Sequence, residues 1–88
     1  MRATITQILP RKWGNGTDYY RVKFKGEDGE FYITDLCPAF RNWSRWKNLM
    51  ETGNEIGNLS IMHPGKINAD SAPVLVSKPG PNPQMELF

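Results

Sequence analysis

The chain has 88 residues, a formal net charge of +2 and a hydrophobic content of 39%, which excludes two separate cores and argues against global disorder. A single cysteine excludes an intramolecular disulfide, and without a signal peptide or a long apolar run the chain is predicted to be cytoplasmic, with no membrane partner. Residues 1–47 hold nine Lys and Arg against five Asp and Glu, whereas residues 48–88 hold two against four, so the basic half suits a polyanion or simply solubility.

The first half of the chain predicts three strands. Ala3–Leu9 is rich in β-branched residues and ends at Pro10, and a glycine-rich loop follows it. Asp18–Lys25 alternates, with one set of side chains facing a core and the other facing solvent. The inward set is Tyr20, Val22 and Phe24, and the outward set is Tyr19, Arg21, Lys23 and Lys25. A hairpin turn over residues 26–29, in which Asp28-Gly29 can supply positive φ angles, returns the chain into Glu30–Asp35, where Phe31 and Ile33 are expected inward and Tyr32 outward.

The second half predicts a helix and two further strands. Apolar residues recur at three and four positions from about Ala39 to Glu51, which indicates an amphipathic helix of about three turns ending near Gly53. Ile56–Met62 and Val74–Val76 are predicted strands, joined by a long loop over residues 63–73 with room for a short hairpin. This order matches a mainly β, five-stranded OB-fold Greek-key barrel over residues 1–77, with an SH3-like barrel as the alternative.

The predicted functional surface is the outward face of the second and third strands. Aromatic rings between cations are what a single-strand binder needs, because bases stack on the rings while Lys and Arg contact phosphates. Loops on either side of this face add further cations and a tryptophan. The predicted nucleic-acid-binding residues are Arg11, Lys12, Trp13, Tyr19, Arg21, Lys23, Lys25, Tyr32 and Lys66. Ordinary strand solvation is the alternative. Arg41 and Arg45 would extend the basic path or simply solvate the helix.

No set of residues predicts catalysis, a metal site or a cofactor. Cys37 and His63 are the only residues of their types, and no third residue stands out to orient them as a nucleophilic pair. Their number and spacing also fall short of a zinc site. The chain is therefore expected to be a binding protein and not an enzyme.

The last residues form a separate feature. Residues 78–83 are rich in proline and glycine and predict an extended linker within a tail spanning 78–88. The tip that follows, Gln84-Met85-Glu86-Leu87-Phe88, resembles the bacterial sliding-clamp-binding motif Gln-Leu-x-Leu-Phe. Gln84, Leu87 and Phe88 match it directly, and Met85 replaces leucine at similar volume. The resemblance implies that these four residues dock on a sliding clamp or another replication protein.

Over residues 1–76 the pattern also resembles the OB-fold single-stranded DNA-binding proteins of bacteria and their phages, although the tail here is less acidic than theirs. The resemblance implies a non-catalytic accessory of DNA replication or repair that binds single-stranded DNA and docks through its tail. A protein-interaction adaptor or inhibitor that touches no nucleic acid remains the alternative. RNA as the ligand and a homodimer also remain open.

Overall fold

A computed structural model describes residues 1–79, so Gln84, Met85, Leu87 and Phe88 lie outside the described residues. Within residues 1–79 the strands join one mixed sheet in the order β5-β6-β3-β2-β1-β4-β7, which curls into an open half-barrel beside one short helix. The elements are β1 (Ala3–Lys12), β2 (Asp18–Gly26), β3 (Phe31–Leu36), α1 (Trp43–Trp46), β4 (Glu55–Gly57), β5 (Ile61–His63), β6 (Lys66–Ile67) and β7 (Val74–Ser77).

The first four strands form a Greek key. β1, β2 and β3 are consecutive antiparallel strands, and β4 returns after α1 to lie beside β1, which gives the spatial order β4-β1-β2-β3. The pairing of β3 with β6 is parallel, whereas the other pairings among these seven strands are antiparallel. β1 runs past Pro10, where the prediction ended it, because its pairing with β2 continues to Lys12 opposite Asp18.

The β2–β3 turn contains three residues, and this decides which side of the sheet each β3 side chain faces. The backbone N–H of Gly29 donates to the Gly26 carbonyl, that of Gly26 donates to the Glu30 carbonyl, and Gly29 has a φ of +83°. A turn followed by one left-handed glycine places Lys25 opposite Phe31 and Phe24 opposite Tyr32. The predicted faces of the β3 side chains fit a two-residue turn at Asp28-Gly29, and a slip of one residue moves a whole strand to the other face. The predicted orientations of Phe31, Ile33 and Tyr32 are therefore wrong.

The core lies on the concave side of the sheet, under the α1 segment. Trp46 is fully buried there, and its indole N–H donates to the Ala69 carbonyl at 2.9 Å. Its ring meets Phe24 edge-on at 6.3 Å between centroids. The other apolar core side chains are Ala3, Ile5, Val22, Leu36, Ile56, Leu59 and Ile67.

The predicted three-turn helix is wrong, since α1 is one turn long. Tight turns flank it, and one of them is closed by a hydrogen bond that the Phe40 N–H donates to the Cys37 carbonyl. Asn42 precedes the helix but does not cap it, because its amide donates to the Ala69 carbonyl instead. The segment also contains Ser44 and Asn48, whose helix propensity is low. The apolar spacing therefore marks residues that contact the core in successive turns.

Five predicted strands become seven among residues 1–79 because of two local features. Asn58 has a φ of +60° and its side chain donates to the Ala72 carbonyl, so the predicted strand Ile56–Met62 bends and divides into β4 and β5. Gly65, with a φ of +80°, turns the chain from β5 into β6 inside the predicted loop. Among residues 1–79 there is no helix of the length and hydropathy needed to cross a membrane.

Candidate nucleic-acid interface

The convex side of β1, β2, β3 and β6 gathers most of the predicted binding residues. Opposite residues of paired strands share a side, and the register pairs Arg11 with Tyr19, Lys23 with Ile33 and Lys25 with Phe31. We call this surface the basic face. It comprises Arg11, Trp13, Tyr19, Arg21, Lys23, Lys25, Phe31, Ile33, Asp35 and Lys66.

Three cations of the basic face have no ion-pair partner among residues 1–79. Arg11, Lys23 and Lys25 are exposed, and none of them lies within salt-bridge distance of a described carboxylate. The Lys25 ammonium lies 6.0 Å from the centre of the Phe31 ring, at the outer limit of a cation–π contact. These side chains are therefore available to an incoming anion.

Two further cations share one carboxylate. Arg21 makes a bidentate pair with Asp35, with distances of 2.9 Å from Nε to Oδ1 and 3.1 Å from Nη2 to Oδ2. Lys66 Nζ lies 3.8 Å from the same Oδ2. The hydrogen bonds and charge of Asp35 raise the pKa of Arg21. Asp35 thus holds two cations in place and also neutralises part of their charge.

Tyr19 occupies the basic face but is covered. Tyr19 is only 8% exposed. Its ring stacks beneath the ring of Trp13, with 4.6 Å between the two ring centroids and 16° between the ring planes. The Gly14-Asn15-Gly16 loop brings Trp13 back over the sheet, because the Trp13 N–H donates to the Thr17 carbonyl and Gly16 adopts a φ of +85°. The prediction that Tyr19 faces solvent is therefore wrong, and the half-buried Trp13 is the outer ring of the pair.

Two predicted site residues lie off the basic face. The Lys12 ammonium pairs with Asp18 Oδ1 at 2.7 Å on the opposite side of the hairpin. The Tyr32 hydroxyl donates to Asp28 Oδ2 at 2.5 Å and its ring packs at the margin of the core. This hydrogen bond raises the pKa of Tyr32 and lowers the pKa of Asp28. The structure therefore separates Lys12 and Tyr32 from the other seven predicted residues.

Phe31 is the aromatic residue that the sequence prediction missed. It is 71% exposed beside Lys25, in the position that the prediction gave to Tyr32. The available signal was the glycine at position 29, which suits the left-handed residue of a three-residue turn as well as the second residue of a two-residue turn.

Of the two residues considered for catalysis, Cys37 lies beneath the surface, whereas His63 lies opposite Lys66 of the basic face across the β5–β6 pair. Cys37 is buried, and its thiol donates to the Asp18 carbonyl at 3.3 Å. His63 is exposed on β5, beside the Pro64 carbonyl. Within residues 1–79 no three His, Cys, Asp or Glu side chains cluster as metal ligands would.

Comparison with protein-family models, with curated proteins and with solved structures finds no significant match to this chain.

Proposed function

We propose that the chain binds single-stranded DNA along the basic face and performs no chemistry on it. The observation that carries this proposal is the set of five cations, Arg11, Arg21, Lys23, Lys25 and Lys66, placed on one side of the sheet with a single carboxylate among them. The face therefore has a formal surplus of four positive charges in a chain whose net charge is +2.

Exposed rings on the same face favour a single strand over a duplex. Phe31 is largely exposed and Trp13 is half-buried, so both offer ring surface to a ligand. In a duplex the base faces are already stacked on each other, whereas an unpaired base is free to stack on a protein ring. Lys23 and Lys25 lie next to Phe31 across the β2–β3 pair and would contact the phosphates on either side of a stacked base.

The sheet topology supports an OB-type barrel as the finer description of the fold. β4 and β5 are separated by only residues 58–60, and together they act as one bent strand that contacts β1 at one end and β6 at the other. Counted so, β1, β2, β3, the bent strand and β6 give the five strands of a partly open Greek-key barrel, and β7 is a sixth strand added beside β4. In such barrels the face of strands two and three is the usual oligonucleotide site, and this is where the basic face lies.

A salt-dependent binding series tests the proposal. Wild type, Lys23→Gln/Lys25→Gln and the control Lys47→Gln/Lys78→Gln are titrated with fluorescent single-stranded DNA, single-stranded RNA and duplex DNA. We expect wild type and control to prefer single strands, and the face variant to lose about 1.4 from the slope of log K against log salt, at about 0.7 per phosphate contact. Absent or salt-insensitive binding, or equal slopes in the two variants, would overturn the proposal. Tighter binding of RNA would make RNA the ligand of the same face.

The tail adds a second part to the proposal, based on sequence alone. We propose that Gln84, Met85, Leu87 and Phe88 dock on a bacterial sliding clamp, so that the linker raises the effective concentration of the DNA-binding face at the clamp. Binding of a purified clamp to the full chain, and its loss in Leu87→Ala/Phe88→Ala, would support this. Clamp binding that survives this change would refute it, and clamp binding without any nucleic-acid binding would favour an adaptor or inhibitor.

A further inference from the structure

A cleft lies beside the basic face and not on it. It has a volume of about 640 Å³, which is within the range of small-ligand sites. One wall is the turn segment before and within α1, and the other is formed by β5 and the chain that follows β6. Its principal lining residues are Phe40, Arg41, Arg45, Met62, Asn68 and Asp70.

The lining combines a phosphate-binding chemistry with a base-binding one. Arg41 and Arg45 are exposed, and neither has an ion-pair partner among the described residues. A guanidinium binds phosphate oxygens through two parallel N–H donors, so two of them in one cleft suit a phosphodiester. Phe40 is 39% exposed and Met62 is 55% exposed, so two large apolar side chains at this cleft are open to a flat base.

The base of the cleft is held in place by hydrogen bonds. The Ala69 carbonyl accepts from the Trp46 indole and from the Asn42 amide, which joins the two walls. The Asn42 amide also lies 3.4 Å from Asp70 Oδ1, and the Asp70 N–H donates to Asn68 Oδ1 at 2.9 Å. The walls therefore do not need to be ordered by a ligand, which lowers the entropic cost of binding.

A continuous run of aromatic rings joins this cleft to the basic face. The Phe40 ring lies 5.8 Å from the Trp13 ring, and Trp13 stacks on Tyr19 within the basic face. A strand that leaves the sheet over Trp13 therefore meets Phe40 next, and then Arg41 and Arg45.

We infer that this cleft is a second subsite, which receives a further nucleotide of the strand bound to the basic face. The phosphate is held by Arg41 and Arg45, and the base lies against Phe40 and Met62. This inference rests on the proposed function, because it extends the same strand beyond the sheet.

Oligothymidylates of increasing length, from about 4 to about 16 nucleotides, test this inference, since single domains of this kind cover sites in that range. The full chain is compared as wild type, as Arg41→Ala/Arg45→Ala, and as Lys47→Ala/Lys78→Ala, which removes two exposed charges outside both surfaces. The cleft variant should match wild type on the shortest oligonucleotide that binds. On longer ones it should bind about 25-fold more weakly at about 0.1 M salt, with a slope lower by about 1.4 for two lost phosphate contacts.

The outcomes separate this inference from the proposed function. Failure of wild type to bind at any length would overturn both. If wild type binds and Lys23→Gln/Lys25→Gln weakens it, but the cleft variant behaves like its control at every length, only the second subsite is refuted. Equal weakening of the shortest and longest oligonucleotides would also refute it, because the cleft would then not be an extension of the site.

Discussion

Removal of the Asp35 carboxylate is expected to strengthen nucleic-acid binding. Asp35 accepts two hydrogen bonds from Arg21 and lies 3.8 Å from the Lys66 ammonium, so it competes with phosphate for both cations. Asp35→Asn keeps the side-chain size and one acceptor for Arg21 but removes the negative charge. The surplus of the basic face then rises from four positive charges to five.

The gain follows from the number of phosphate contacts that become available. One new contact adds about 0.7 to the slope of log K against log salt, which corresponds to about fivefold tighter binding at about 0.1 M salt, and two contacts give about 25-fold. The Arg21 and Asp35 side chains are 33% and 18% exposed, so the loss of their pairing should lower the free energy of unfolding by only about 1 kcal/mol.

Fluorescence titration at several salt concentrations and urea denaturation measure the two effects separately. Glu51→Gln is the matched control, because it removes an exposed carboxylate outside the basic face. Affinity for single-stranded DNA that falls in Asp35→Asn, or that rises equally in both variants, would refute the reasoning that this carboxylate restrains cations of the binding face.

Three further predictions concern side chains and the turn of the β2–β3 hairpin. Phe31→Ala should weaken single-strand binding by about 1–3 kcal/mol while changing stability by no more than about 0.5 kcal/mol, whereas Tyr32→Ala, which also removes a ring, should leave affinity unchanged; a titration that shows the reverse would restore the sequence-based orientation of β3. The Tyr32–Asp28 hydrogen bond lowers the pKa of Asp28 from its ordinary value of 3.8 and raises the pKa of Tyr32 from its ordinary value of 10.0. The hydrogen bond therefore stabilises the fold fully at any pH between 3.8 and 10.0. In denaturation curves, the stability difference between wild type and Tyr32→Phe should shrink as pH falls through the lowered pKa of Asp28 or rises through the raised pKa of Tyr32, and a difference independent of pH would contradict this. Gly29→Ala should cost about 1–2 kcal/mol because of its positive φ alone, since open space surrounds a new Cβ there, while Gly14→Ala, equally open but without a positive φ, should cost little; equal costs in urea would refute the conformational argument.

The strands that alternate most clearly were predictable from local sequence. In β2, the buried Val22 and Phe24 alternate with the exposed Lys23 and Lys25, as the pattern indicated. The alternation of side chains along a strand was enough to predict that these cations lie on one side of the sheet. Lys66 lies on the same side because β6 pairs with β3 in parallel, opposite Ile33. Local alternation thus located the charged part of the candidate site.

The remaining errors depend on choices that local pattern does not determine. The Asp28-Gly29 pair suits turns of two or three residues, and these place opposite faces of β3 on the core. Tyr19 is covered only because the preceding loop folds Trp13 back onto it, which alternation along β2 does not report.

The helix and the later strands were mispredicted because tertiary contacts replace local preferences. Asn42 and Trp46 both donate to the Ala69 carbonyl, 27 and 23 residues away in sequence, and these bonds hold the segment as turns packed on the core. Asn58 likewise bends the chain by bonding to Ala72. Partners this distant in sequence leave no periodic signal near the residue that uses them.

An amide chemical-shift map of the full chain, recorded during titration with single-stranded oligothymidylate, tests the central claim most directly. We predict that the largest changes occur at Lys23, Lys25, Phe31 and Trp13, on the convex side of the sheet, and that they diminish as salt is raised. Changes confined to β7, or no changes at low salt, would contradict a nucleic-acid site on the basic face.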